Sequence, residues 1–396
     1  MKTSMIPRFK PALDWRELIA LFRPHFGAVG RFEANFADNF DCKEAVAFSY
    51  GRTALWAFLQ VIGLKESEII MPAYTCSVVA HSIVLSGNHP RFVDISATDF
   101  NMDLDLLEKT ITSKTRAIVV THLFGYAADI DRIESIKRSA EEQYGHKVWI
   151  IQDCAHSFGA KWLGKDVIKS GDVALFGLNI SKMMTSIFGG MLTTNDAELA
   201  EKIRDWRDRH FRKPHWRKAL YRRAYLFLVY FAFSRVFYPI TYWVQFKTSW
   251  LAQLTDAYHL DGKIEFPPDF LDKMLDVEAA IGLVQLKKYS EIVSLRQANA
   301  LKYNEKLVLD VEHKKPPIIE GSTYSHYVVL VADKHKEMAK WSTIGCQLGE
   351  LIQYSVPELK EYEKYKDKEF PVSKAIASKS VNFPLTVASV DRIIDA

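Results

Sequence analysis

The chain has 396 residues, 48% of them apolar, and carries 52 Lys and Arg against 48 Asp and Glu. That is ample for a sizeable core, and a net charge of +4 is too small to mark a nucleic-acid surface. Cys42, Cys76, Cys154 and Cys346 form no CxxC pair, which argues against a zinc centre or any other metal site and against a disulfide framework. Free thiols, and an N-terminus without the apolar core of a signal peptide, lead us to expect a cytoplasmic protein.

In chain order, an apolar run at 44–49 is followed by Gly51 and a helical stretch at 53–62. A strand at 69–71 precedes a helix at 77–85, and a strand at 91–95 precedes a helix at 104–111. A buried strand at 117–121 leads to a helix at 130–144, and another at 148–152 is followed by strands at 173–176 and 190–194. Short apolar strands alternating with helices predict an α/β fold, with a mainly parallel central sheet covered by helices on both faces. Ligands of such sheets sit at the carboxyl ends of the strands. Residues 276–310 predict one long helix. From about 311 the pattern suits a smaller α+β domain with a strand at 327–331. We expect a large domain over 1–262 and, over 263–396, the long helix with the small domain.

Three places carry chemistry. Asp153 closes the strand VWIIQD, where a carboxylate either enters the ligand crevice or caps the next helix. His156, three residues on, shares its side of a helical turn. Lys182 lies in FGLNISKMMTSIFGGML, between two buried strands. There it is either a solvated loop lysine or a buried amine, whose lowered pKa makes it a nucleophile toward aldehydes. Gly51, Arg52 and Thr53 stand between a strand and a helix. The glycine either serves the turn alone or lets an anion approach the helix N-terminus and the Thr53 hydroxyl.

Several segments occur together and in order: FEANFADNF, SYGRTAL, IIMPAYTCSVVAHSIVLSG, FVDI, TRAIVVTHLFGYAADID, WIIQDCAHSFGA, SKMMTSIFGGMLTTND and VEAAIGLVQLKKYSEIVSLRQANALKYNEKL. This series resembles the DegT/StrS-type sugar aminotransferases, fold-type I enzymes that use pyridoxal 5′-phosphate. The resemblance implies that Lys182 is the Schiff-base lysine and proton carrier. It implies that Asp153 keeps the pyridine nitrogen protonated, and that His156 lies near the ring's phenolic oxygen. Gly51, Arg52 and Thr53 match the phosphate-binding turn, Ser181 adjoins the lysine as a cofactor contact, and His122 matches a histidine near the substrate. The implied reaction takes an amino group from a donor, commonly glutamate, to a keto-sugar that is usually nucleotide-linked, for polysaccharide or glycoconjugate synthesis, in a homodimer. A sugar dehydration or other lyase step, and a regulator or scaffold with little catalysis, are the alternatives. The lysine disfavours the dehydratases, which carry histidine there.

The sequence departs from that family at four places. Gly177 replaces a phosphate-binding serine. Cys76 replaces a ring-stacking aromatic, for which nearby Tyr74 could substitute. Leu271 and Lys273 stand where the partner-subunit Asn-x-Arg is expected, and Ile187 with Phe188 replaces Gly-Glu. A fifth oddity is an insertion at about 209–262. Arg209, Arg212, Lys213, Arg217, Lys218, Arg222 and Arg223 lead into AYLFLVYFAFSRVFYPITYWVQF. Its length approaches a membrane span, but Arg235 and Pro239 interrupt it. We expect a buried insertion or subunit contact ahead of peripheral membrane contact through 209–246.

Overall fold

The computed structural model describes residues 5–234, 236–247, 262–385 and 390–395. Its central sheet has seven strands: β1 (Glu44–Phe48), β2 (Glu68–Pro72), β3 (His89–Val93), β4 (Thr115–Thr121), β5 (Trp149–Asp153), β8 (Val173–Gly177) and β9 (Gly190–Thr194). The short pair β6 (Lys161–Trp162) and β7 (Lys165–Asp166) forms a separate hairpin. Across the sheet the order is β1, β9, β8, β5, β4, β2, β3. Neighbours from β8 to β3 pair in parallel, whereas β9 is antiparallel to both β8 and β1. The sheet is thus mainly parallel, as expected, with one reversed strand that hydropathy does not reveal.

Helices cover the sheet for the usual reason. The helix Ile130–Tyr144 starts where Asp129 accepts a hydrogen bond from Arg132 N and ends at Gly145, φ +69°. It buries Ile130, Ile133, Ile136 and Ala140, spaced three or four apart. These pack on Ile118, Val120, Val148 and Ile150 of the sheet region.

The long helical pattern at 276–310 is in fact two helices, Asp276–Lys287 and Tyr289–Lys306, broken at Lys288. No glycine or proline announces the break. The buried Lys288 ammonium sits 2.6 Å from Glu17 and 3.1 Å from Asp14 of the N-terminal segment. That long-range anchoring is invisible to helix periodicity.

Farther on, β10 (Tyr327–Leu330) and β11 (Ser380–Phe383) pair antiparallel over a core that includes Tyr303, Tyr327 and Phe383. Ile6 bridges to Cys346 and joins the same core, so the N-terminal strand packs with the C-terminal unit. The insertion contributes the helices Trp216–Ala232 and Tyr238–Lys247; residues 248–261, next to the expected boundary at 262, lie outside the described residues. Burial is only half of what the sequence predicts. Leu226 is covered by Leu275 and Ile281, but Leu220, Leu228 and Trp243 are exposed. Among the described residues, no helix is long and apolar enough to cross a membrane.

Candidate active site

The carboxyl ends of β4, β5 and β8 lie in register, with Thr121 opposite Asp153 and Asp153 opposite Leu175. Beyond them opens a cleft lined among others by Gly51, Arg52, Cys76, Asp153, Ala155 and Lys182.

Asp153 is buried. Its Oδ1 accepts from Ala155 N (3.1 Å), and its Oδ2 from the Thr121 hydroxyl (3.4 Å). Burial pushes its pKa up, while the Ala155 N–H and the Lys182 charge oppose the shift. Lys182 follows β8 on a loop fixed by Asn179. The Asn179 carbonyl accepts from Lys182 N (3.1 Å), and its side chain accepts from Ser181 N (3.0 Å) and Oγ (2.7 Å). Burial lowers the Lys182 pKa; Cys76 and Asp153 act against this, and Arg52 adds to it. One cleft therefore holds an amine biased toward its neutral form and a carboxyl group ready to pair with a cation.

Glycines bring the Gly51–Thr53 turn close. A Cβ on Gly51 would stand 3.0 Å from Gly177 Cα, and one on Gly190 only 2.4 Å from Gly51 N. The helix Gly51–Val61 thus meets the ends of β8 and β9 backbone to backbone, and its N-terminus has no side-chain cap. Thr53 Oγ1 is buried without a hydrogen-bond partner. An uncapped helix N-terminus beside an unsatisfied hydroxyl is suited to an anion.

His156 is also buried, with Nδ1 unpartnered and its ring 5.4 Å from His326. Burial, then the nearby Lys182 and His326, push its pKa well down. Both buried orphans belong to residues singled out from the sequence.

Other expected residues fall elsewhere. Tyr74 is turned away from the cleft lining into the C-terminal core. Its hydroxyl meets Ile352 O and Ser380 Oγ, both at 3.1 Å, and its ring faces Phe124. It therefore does not stand in for the missing stacking aromatic; Cys76 lines the cleft alone at that position. Ser181 bonds Asn179 and does not line the cleft. His122 is enclosed behind the sheet end. Ala128 N–H donates to its Nδ1 (2.9 Å), so the ring proton sits on Nε2, 2.8 Å from Gln152 Oε1.

Burial lowers the His122 pKa to about 4, below the ordinary 6.5, so the unfolded chain binds the extra proton between those values. Stability is therefore lost as pH falls from 6.5 toward 4, by roughly 1.4 kcal/mol per pH unit for this one group. Urea unfolding at several pH values in that window should show a shallower decline for His122→Gln than for the unaltered chain.

The sequence reading missed Tyr50, Asn179 and Arg222. Arg222, on the insertion helix Trp216–Ala232, is buried. Its guanidinium pairs with Glu278 (3.0 Å) and Asp269 (3.1 Å) and donates to the Tyr50 oxygen (3.1 Å). Tyr50 donates in turn to Asp269 (2.8 Å) and lines the cleft. The Phe188 ring lies 3.9 Å from the same guanidinium. Ile187, at φ +73°, packs near Leu226.

Two departures from the family thus adjoin the insertion. Ile187 and Phe188 meet its helix, and Leu271 O and Lys273 N bond the backbone of Arg212. Replacing Arg222 with methionine would leave Glu278 charged and buried. A loss of about 3–5 kcal/mol is expected in urea unfolding, partly recovered by adding Glu278→Gln.

The model of the DegT/DnrJ/EryC1/StrS aminotransferase family matches residues 25–238 and 243–396. The chain belongs to this family. Its relatives include GDP-perosamine synthase of Caulobacter vibrioides, 27% identical over 417 residues and covering 99% of this chain and 98% of the relative. A dTDP-3-amino-3,6-dideoxy-alpha-D-galactopyranose transaminase of Aneurinibacillus thermoaerophilus is 26% identical, covering 93% of this chain and 89% of its own. The crystal structure of the sugar aminotransferase CalS13 from Micromonospora echinospora superposes with a TM-score of 0.75 at 20% identity, covering 99% of this chain and 98% of that one. That likeness establishes the fold expected from the sequence.

Pyridoxal phosphate, the cofactor the resemblance implies, fits the residues present. The Gly51–Thr53 turn with its unpartnered hydroxyl suits the phosphate, Asp153 the ring nitrogen and Lys182 the aldehyde. Gly177 in place of serine removes one hydroxyl, and a Cβ there would touch Lys182 Cε at 3.4 Å.

Proposed function

We propose that this protein is a pyridoxal-phosphate-dependent aminotransferase that passes an amino group from glutamate to a nucleotide-linked keto-sugar. The observation that carries the reading is that the half-buried Lys182 and the buried Asp153 face one cleft at the carboxyl ends of β5 and β8. The names of the relatives, several of them sugar transaminases, support the substrate class.

When bound, the cofactor supplies an aldehyde that condenses with amines and a ring that accepts the electron pair left by a departing proton. The chain supplies the rest. Lys182 Nζ would bond the aldehyde with loss of water and would be freed when the donor's amine takes its place; the freed, neutral Nζ is then the base that takes a proton from the donor's α-carbon. It returns that proton at the adjoining carbon, as acid. Asp153, at the cleft wall, would hold a positive charge on the ring nitrogen through its carboxylate. Thr53 and the amides at the helix N-terminus anchor the phosphate. His156 Nδ1, free of protein partners, lies available to the ring's oxygen.

In the acceptor half, the same Nζ delivers a proton to the former carbonyl carbon of the sugar. We place this enzyme in the cytoplasm as a homodimer, with segment 209–246 touching a membrane.

The test is a single turnover of the cofactor-loaded protein with ¹⁵N-glutamate, followed by addition of nucleotide-linked keto-hexoses. Formation of 2-oxoglutarate and then a ¹⁵N-amino sugar, seen by mass spectrometry, is the expected result. A loaded protein that forms no 2-oxoglutarate contradicts the proposal. Release of an unaminated deoxy-sugar would assign dehydration instead.

A further inference from the structure

The helix Trp216–Ala232 is amphipathic in the reverse of the usual sense. Its inward face holds the ion-paired Arg222, while Trp216, Leu220, Phe227 and Phe231 are exposed at spacings of four, seven and four. The N-terminal helix Trp15–Phe22 repeats the inversion. Glu17 is buried against Lys288, and Trp15, Ile19 and Phe22 face outward, 64%, 40% and 73% exposed.

The two stripes join. The Phe22 and Phe227 rings are 6.3 Å apart, Phe227 and Phe231 4.9 Å, and Phe231 and Phe237 6.4 Å. Ile240 and Trp243 extend the face along the next helix. The largest apolar patch on an ordinary soluble monomer is about 300–600 Å², and patches beyond that mark interaction sites. Here three helices turn large apolar side chains outward, and two of them keep one charged group, Arg222 or Glu17, buried.

The charge around this face selects the occupant. No acidic residue lies between Asp208 and Asp256, whereas Arg209, Arg212, Lys213, Arg217, Arg223 and Arg235 all do. Lys213 and Arg217 are exposed where the apolar stripe begins, and Arg23 is exposed just beyond Phe22. Arg209 and Arg212 are paired with Asp205 and Asp272, but an aromatic and aliphatic face beside the exposed Arg23, Lys213 and Arg217 is complementary to anionic headgroups above an acyl layer. A second copy of this chain would instead set one cation-only segment against another.

We propose that this face seats on an anionic phospholipid bilayer, with the apolar side chains among the upper acyl carbons and the basic rim at the headgroups. The helix that would lie in the interface is also the one whose Arg222 bonds Tyr50 at the cleft. Docking therefore holds the cleft within about one helix diameter, ~10 Å, of the bilayer. The acceptor sugar would be met at the membrane surface. Docking rests on the surface alone, and only this last consequence rests on the aminotransferase reading.

The test is co-sedimentation of the purified full chain with vesicles of phosphatidylcholine, or of phosphatidylcholine mixed with phosphatidylglycerol. Binding should favour the anionic vesicles and weaken with added salt. The double variant Phe22→Glu, Leu228→Glu should reduce it on the order of tenfold or more, while its circular dichroism stays unchanged. Failure of the folded, cofactor-loaded protein to bind either vesicle would overturn the proposal. So would light scattering in which the same variant splits a dimer while vesicle binding is absent, since the face would then be a subunit contact. Cofactor absorbance, read on the same samples, reports the catalytic reading separately.

Discussion

Replacing Lys182 with alanine is expected to lower amino transfer by at least about 10⁴-fold, because one amine serves as nucleophile, base and acid. The fold should survive. Burial already favours the neutral form of this amine, and truncation opens a space beside Gly177 rather than stranding a charge. Circular dichroism should therefore be unchanged while 2-oxoglutarate formation from glutamate is lost, and a small exogenous amine should restore part of it. A Lys182→Ala protein that keeps activity within tenfold of the unaltered enzyme would mean that another group carries the chemistry.

The second large effect belongs to Asp153→Asn. Asparagine keeps the shape and can still accept from Ala155 N through its carbonyl, so cofactor binding through Lys182 should persist. What it loses is the negative charge that would hold a proton on the ring nitrogen. A fall in turnover of about 10²–10³-fold is expected, the magnitude typical of removing one preorganised electrostatic partner. The loss should appear in the single-turnover rate with glutamate and leave the site's absorbance after loading intact.

Much of this site was legible because its parts are local. A strand ending in Asp153, a glycine opening a helix, and a lysine between two buried strands each leave a trace in a few consecutive residues. The order of those traces along the chain then pointed to the fold. What escaped was non-local. The reversal of β9 shows only in its pairing, with β8 just before it and with β1 more than a hundred residues away, where Phe48 stands opposite Gly190. The break at Lys288 depends on carboxylates near the N-terminus.

Tyr74 looked available for ring stacking because it is close to Cys76 in sequence. Its direction is instead set by Ile352 and Ser380, far along the chain. Arg222 was one of several basic residues in the insertion. A partial signal did exist: an arginine four positions before Leu226 on an apolar helix must either snorkel or find a buried acid, and Glu278 follows in the helix Asp276–Lys287. That pairing also gives physical meaning to Phe188, which from sequence alone was only a departure from the family.

The most direct measurement is the visible absorption of the purified chain loaded with pyridoxal phosphate, before and after glutamate, followed by borohydride reduction and peptide mapping. The structure predicts a yellow band that glutamate bleaches, and a reduced adduct on Lys182. A band unaffected by glutamate, or an adduct on any other lysine, would contradict an aminotransferase built on this cleft.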